Sequence, residues 1–372
     1  MYGRYETFSR IQNDQLKEPM FLGQSVNVAR YDQSKYNVFE KLIQKQLSFF
    51  WRPEEVDVTV DGIQYRKLSN CEKHIFLSNL KYQTLMDSIQ GRSPNAVFLP
   101  VVSLPELETW IETWSFSETV HSRSYTHIIR AIEAQPDIIF NDVVINPEIR
   151  KRAETISRCY DSLHMQNVLR DASKLLPNSR YDKFEHMRAI CMALYAVYAL
   201  EAVRFYASFA CSFAFAERGL MEGNAKIIKL IARDEMLHMV GTQRMLINMA
   251  DGSEGSGWTK IADECRPAAE ELFAEAVYQE TEWAKYLFKD GAMPGLNEKI
   301  LTEYIRYLTG LRMRAVGLPC QCSVKDNPIP WINTWLSSDS VQMAPQEVEV
   351  SSYLIGQINA KIDRDSLGDI EI

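Results

Sequence analysis

The sequence predicts an all-α helical bundle. Three observations carry this. Apolar residues recur at helical spacing over long stretches, several helix starts are readable, and Glu-x-x-His occurs twice, as Glu118/His121 and Glu235/His238. On a helix, Glu118, His121 and Tyr125 fall at i, i+3 and i+7, on one stripe. Trp110, Ile111, Trp114 and Phe116 flank that stripe, so it is expected to face the protein interior.

Taken in order, residues 1 to 60 read as mixed extended and short helical pieces. Ser69-x-x-Glu72 is a capping box that opens a helix through Leu80, Met86 and Asp87, ended by Gly91 to Asn95. Ser103-x-x-Glu106, with Pro105 in the first turn, reads as a second capping box, opening the helix of Glu118 and His121. Asn146-Pro147 is a cap and first helical position. Residues 183 to 221 are rich in Ala, Met, Leu and Phe and carry Glu201. Gly223-Asn224 precedes the helix of Glu235 and His238. Helices follow over about 259 to 288, kinked or restarted at Pro267, and 297 to 316, stopped by Gly317 and Pro319. From about 340 the chain turns polar and reads as a mobile tail, within which Glu347 to Leu354 alternates apolar and polar residues.

Length alone suggests two or three domains, but no Gly/Ser- or Pro-rich linker interrupts residues 60 to 318. One domain over 1–340, with an irregular segment at 1–60, and a mobile tail over 341–372 are therefore expected. The net charge of −8 argues against a nucleic-acid surface. No run of about 18 apolar residues suggests a membrane span. Seven cysteines without regular spacing fit a reduced, cytoplasmic protein.

The chemistry lies in a weak internal repeat. Asp87 precedes Glu118 by 31 residues, and Glu201 precedes Glu235 by 34. About 30 residues carry a chain along one helix, round a loop and back along the next. Each half is then a hairpin with a lone carboxylate on one arm and Glu-x-x-His on the other. A single Glu-x-x-His can be an ion pair. Two, each preceded by an acid at matched spacing, match the ligand inventory of ferritin-like dimetal carboxylate bundles. Four clustered carboxylates without metal would repel. Two ferric ions bridged by one oxide carry a charge that four carboxylates neutralise. Oxygen-rich ligation with one imidazole per ion suits iron or manganese better than structural zinc. The other histidines, His74, His127, His164 and His186, lack a glutamate three residues earlier and read as structural or exposed.

Tyr125 lies one turn beyond His121. It is either a core tyrosine with a bonded hydroxyl or a redox tyrosine. Full reduction of O2 takes four electrons, of which two ferrous ions supply two. A nearby phenol can supply one more and remain as a radical in a dry pocket. Phe205 and Phe209 at i+4 and i+8 from Glu201, and Ile231 at i−4 from Glu235, are core residues that would also line such a pocket.

These residues resemble a known family, the small, radical-generating (beta) subunit of class Ia ribonucleotide reductase of bacteria and their phages. The resemblance spans nearly the whole chain. It runs through Asp-Gln-Leu-Lys-Glu-Pro-Met, Leu-Ser-Phe-Phe-Trp-Arg-Pro-Glu-Glu-Val-Asp, Ser-Glu-Thr-Val-His-Ser-Arg-Ser-Tyr, Glu-Gly-Asn-Ala-Lys-Ile-Ile and Asn-Pro-Ile-Pro-Trp-Ile-Asn-Thr-Trp-Leu, to Ala-Pro-Gln-Glu-Val-Glu-Val-Ser-Ser-Tyr-Leu. It implies a cofactor of two oxo-bridged iron ions per chain. Asp87, Glu118 and His121 would hold one ion and Glu201, Glu235 and His238 the other, with Glu118 and Glu235 bridging. It implies the stable radical on Tyr125. Trp51 would deliver the remaining electron and begin an outward route through Asp234 to His121; without the resemblance Trp51 reads as core packing. Tyr353, assisted by Glu347, would pass the radical to a separate large (alpha) subunit that reduces the nucleotide. A homodimer is implied as well.

Residues 164 to 182 look shorter than in better-known bacterial members, and the C-terminus lacks an aromatic residue. Leu367, Ile370 and Ile372 can serve as apolar anchors instead. Two other readings remain open: a stand-alone di-iron oxidase or hydroxylase, and a metal-storage or purely structural bundle.

Overall fold

The computed structural model describes residues 12–176, 180–320 and 324–337. Among these residues there is no strand, only two isolated bridges, Phe21–Val102 and Met293–Leu296. Thirteen α-helices follow in order: α1 (Asn37–Ser48), α2 (Thr59–Lys67), α3 (Asn70–Gln90), α4 (Ser93–Val97), α5 (Pro105–Ile132), α6 (Pro136–Ile145) and α7 (Pro147–Leu175), then α8 (Lys183–Ala199), α9 (Phe205–Ala216), α10 (Glu222–Ala250), α11 (Ser256–Leu287), α12 (Glu298–Ala315) and α13 (Ile332–Leu336). A π-helical turn, Leu200–Arg204, joins α8 to α9 without a break. Helices α3, α5, α8–α9 and α10 surround the site, α1 and α2 cover α5 and α10, and α11 and α12 pack behind α8–α9. One contiguous apolar core runs from Met20 to Ile332.

Ser69 caps α3 as its sequence predicts: its hydroxyl accepts from Glu72 N, and the Glu72 carboxylate accepts from Ser69 N at 3.0 Å. Asn146 caps α7, accepting from Glu148 N at 3.0 Å. The second capping box is not formed. Leu104 occupies the N-cap of α5 with no side-chain bond. Ser103 Oγ instead accepts from Gly23 N at 2.8 Å, and Glu106 Oε1 from Lys35 N and Tyr36 N at 2.9 and 3.1 Å. These side chains strap the N-terminal segment to the bundle, a tertiary demand that outcompetes the local cap. Pro267 does not restart a helix; α11 runs through it.

The start of α10 is capped from a distance. Met221 takes a left-handed φ of 56°, and the Asp61 carboxylate of α2 accepts from Gly223 N and Asn224 N at 3.1 and 2.5 Å. Further along, Gly241 lets α10 lie against α5: a Cβ there would come 2.5 Å from Trp110 Nε1. That close approach brings His238, one turn earlier, toward Glu118.

By length and composition alone the stretch Lys183–Ala216 could cross a membrane, but 89% of its most apolar window is buried among the other helices. Its composition is that of a core helix. Phe116, one of the bulky residues flanking the stripe of Glu118, His121 and Tyr125, is 56% exposed and stacks on Phe50.

His186 is structural. It is buried, with Nε2 2.8 Å from Asn167 Oδ1 and Nδ1 3.2 Å from the Tyr181 hydroxyl. Burial, reinforced by Arg170, lowers its pKa from 6.5 to about 3. The unfolded chain therefore binds this proton at a higher pH than the folded one. This part of the stability is present above about pH 6.5 and is lost as pH falls toward 3. Denaturant midpoints measured between pH 7 and 4 should fall, and His186→Gln should flatten that fall.

Candidate metal centre

Six predicted side chains from four helices converge: Asp87 of α3, Glu118 and His121 of α5, Glu201 of the π turn, and Glu235 and His238 of α10. All are fully buried. They form two overlapping groups, Asp87–Glu118–His121–Glu235 and Glu118–Glu201–Glu235–His238, and within each the ligand atoms lie within 4.8 Å of one another. Glu118 and Glu235 belong to both, the position a bridging carboxylate must occupy.

Both imidazoles turn Nδ1 inward. His121 Nδ1 lies 3.1 Å from Glu118 Oε2 and 3.2 Å from Glu235 Oε1. His238 Nδ1 lies 3.1 Å from Glu118 Oε1 and 3.5 Å from Glu235 Oε2. Their Nε2 atoms face outward to fixed partners, Asp234 Oδ2 at 3.1 Å for His121 and Gln46 Oε1 at 3.2 Å for His238. An outer partner on the far ring nitrogen is how proteins orient ligating histidines.

The electrostatics call for a cation. Both oxygens of Asp87 are buried without a hydrogen bond, and those of Glu235 and Nδ1 of His238 have only the ion-pair approaches above and no aligned hydrogen bond, which is costly in a protein interior. Burial and then the charge of Glu118 push Asp87 well above the usual carboxylate range; burial and the charge of Glu235 do the same to Glu201. Burial would also raise Glu118, but His238 and His121 outweigh it and hold the group at about 2. Burial opposes charge on His238, yet Glu118 and Glu235 carry it to about 9. Cations among these groups would relieve both the repulsion and the orphaned oxygens, and the donor set of four carboxylates and two imidazoles fits two ions.

Asp234 lies on the side of α10 facing α5 and α1. Its Oδ2 accepts from Trp51 Nε1 at 2.9 Å and meets His121 Nε2, while the Trp51 and His121 rings stack at 6.3 Å. The structure thus brings together Trp51, Asp234 and His121, the three residues that the family resemblance links. Tyr125 is fully buried and its hydroxyl makes no hydrogen bond. Burial, and then the charge of Asp87, push its pKa well above the usual 10. Phe205, Phe209 and Ile231 are all fully buried, and the two phenyl rings stack at 6.1 Å. Tyr353 and Glu347 lie outside the described residues, as do Leu367, Ile370 and Ile372.

Several contributing residues were not anticipated. Gln90 Nε2 donates to Glu201 Oε1 at 2.8 Å and is itself held by the Tyr160 hydroxyl at 2.5 Å. Trp114 Nε1 donates to Glu118 Oε1 at 2.9 Å; its i−4 spacing was the available signal. Ser117 Oγ links Gln46 to Asp234, at 3.2 and 3.3 Å. Gln46 comes from α1, far away in sequence, and nothing in its local pattern marks it.

A family model described as the small chain of ribonucleotide reductase matches residues 29–328. The chain is similar to the ribonucleoside-diphosphate reductase 1 subunit beta of Escherichia coli O157:H7, at 59% identity over 99% of this chain and 100% of that one. It is also similar to the ribonucleoside-diphosphate reductase subunit beta of Enterobacteria phage T4, at 47% identity over 94% of this chain and 95% of that one. Among solved structures, the ribonucleotide reductase R2 subunit from Clostridium botulinum aligns with a TM-score of 0.73 at 23% identity, covering 86% of this chain and 94% of that one, which speaks for a shared ferritin-like fold. By its full-length similarity and its matching family model, the chain belongs to the ribonucleotide reductase small-chain family.

Proposed function

We propose that this chain is the radical-generating beta subunit of a ribonucleoside-diphosphate reductase, active only with a large subunit. The observation that carries the reading is a buried cluster of four carboxylates and two imidazoles beside a buried phenol with no hydrogen bond. Asp87, Glu118 and His121 would hold one ion and Glu201, Glu235 and His238 the other. Iron suits the donors, and manganese satisfies the same set. When bound, the metal pair supplies the O2 chemistry and two of the four electrons it requires. Tyr125 would give up one electron together with its phenolic proton, and Asp87 is the acid whose charge faces that hydroxyl. Phe205, Phe209 and Ile231 keep water and oxidisable groups from the phenoxyl. Trp51 gives the remaining electron. Its indole N–H is fixed on Asp234, which places the ring at the start of an outward route from His121. Tyr353, with Glu347 assisting, hands the oxidising equivalent to the large subunit, where nucleotide reduction begins. A homodimeric body over 1–340, a docking segment over 341–372 and a cytoplasmic location complete the reading.

Addition of ferrous iron and O2 to the apoprotein tests it. About two metal ions should bind per chain, and electron paramagnetic resonance should show a tyrosyl signal. Metal uptake without an organic radical would favour a stand-alone oxidase.

A further inference from the structure

Glu201 sits in the only π-helical turn among the described residues, Leu200–Arg204, where Phe205 N–H reaches back five residues to Leu200 O. A π turn is a local distortion of an α-helix and persists where its surroundings hold it. The last residue of the turn, Arg204, supplies such a hold. It is 4% exposed, and its guanidinium spans two acceptors on α11: Nη1 to Glu280 Oε1 and Nη2 to Gln279 Oε1, both at 2.8 Å. Glu280 is itself fully buried and fixed from two further helices. The Tyr82 hydroxyl of α3 donates to the same oxygen at 2.9 Å. Arg152 of α7 lies 3.9 Å from it and packs over the Trp283 ring at 4.7 Å. Tyr82 is five residues from Asp87, so the network ties both lone-acid helices to α11. A buried ion pair is a weak source of stability; its placement at a distorted turn is better explained by a demand for position.

We infer that Arg204, clamped by Glu280, is a positioning residue that fixes the π turn and through it sets where Glu201 presents its carboxylate. The inference rests on the proposed role of Glu201 as a metal ligand. Its consequence is asymmetric. The position built on Glu201 depends on the clamp, whereas the position built on Asp87 and His121 does not use the turn.

The test is Mn2+ titration of the full-length apoprotein, read by electron paramagnetic resonance as bound ions per chain and as the coupled signal of an ion pair. Wild type should take two Mn2+ and Glu201→Ala one. If Glu201→Ala keeps both, the ligand reading fails. Glu280→Gln, which keeps size and burial, should bind the first Mn2+ as wild type does and the second about 10–100-fold more weakly, with the coupled signal replaced by that of isolated Mn2+. Two ions bound with wild-type affinity would overturn the inference. Equal weakening of both ions alongside a lower melting temperature would do the same, because it would assign the clamp to stability alone. Should Glu280→Gln fail to fold, Arg204→Lys, which keeps the charge and loses the fork, carries the same expectations.

Discussion

Tyr125→Phe is expected to fold, bind two metal ions per chain and show neither a radical signal nor reductase activity with a large subunit. The substitution removes one oxygen atom from a fully buried site where that atom makes no hydrogen bond. Little stability is at stake, about 1 kcal/mol or less. The metal-binding groups are untouched, so metal content should match wild type. The missing group is the proposed electron donor, and phenylalanine is far harder to oxidise. The effect on activity is therefore all or nothing, while melting temperature and metal analysis barely move. A persisting tyrosyl spectrum would place the radical on another residue. Full activity in the variant would support a bundle in which Tyr125 only fills the core.

Deleting residues 345–372 is expected to leave metal uptake and the radical signal intact and to abolish ribonucleotide reduction. Tyr125, His121 and Asp234 are enclosed by protein, and Trp51 is 2% exposed. An oxidising equivalent formed there cannot meet a nucleotide directly and must be handed on. The removed segment holds Tyr353 and Glu347 together with the apolar C-terminal residues proposed to dock. An oxidase with its own substrate site would keep turning over after this truncation, so the measurement separates the two readings in one assay with an added large subunit.

Much of the site was legible because its chemistry is periodic. Glu-x-x-His puts two candidate ligands on one helix face by spacing alone, and the repeat at 31 and 34 residues brings in Asp87 and Glu201. Caps were legible where they are local, as at Ser69 and Asn146. They failed where a distant chain segment competes for the same oxygen, as at Ser103 and Glu106. The outer supports were hidden for the same reason. Gln46 reaches His238, and Glu280 reaches Arg204, across sequence gaps of 192 and 76 residues. Such contacts exist only once α1 and α11 have packed against the bundle.

The turn at Glu201 also has a meaning for how the sequence is counted. Spacing rules that hold along an ordinary helix slip when carried across it, since the turn takes in an additional residue. Residues beyond the turn therefore sit one number later than uniform α-helical counting from Lys183–Ala199 would place them. Excising a single residue at this point would let the rod relax to uniform winding while the Phe205–Ala216 half keeps its face to the core, so the change would fall on where Glu201 points. A deletion here therefore acts on the carboxylate and spares the packing of the core.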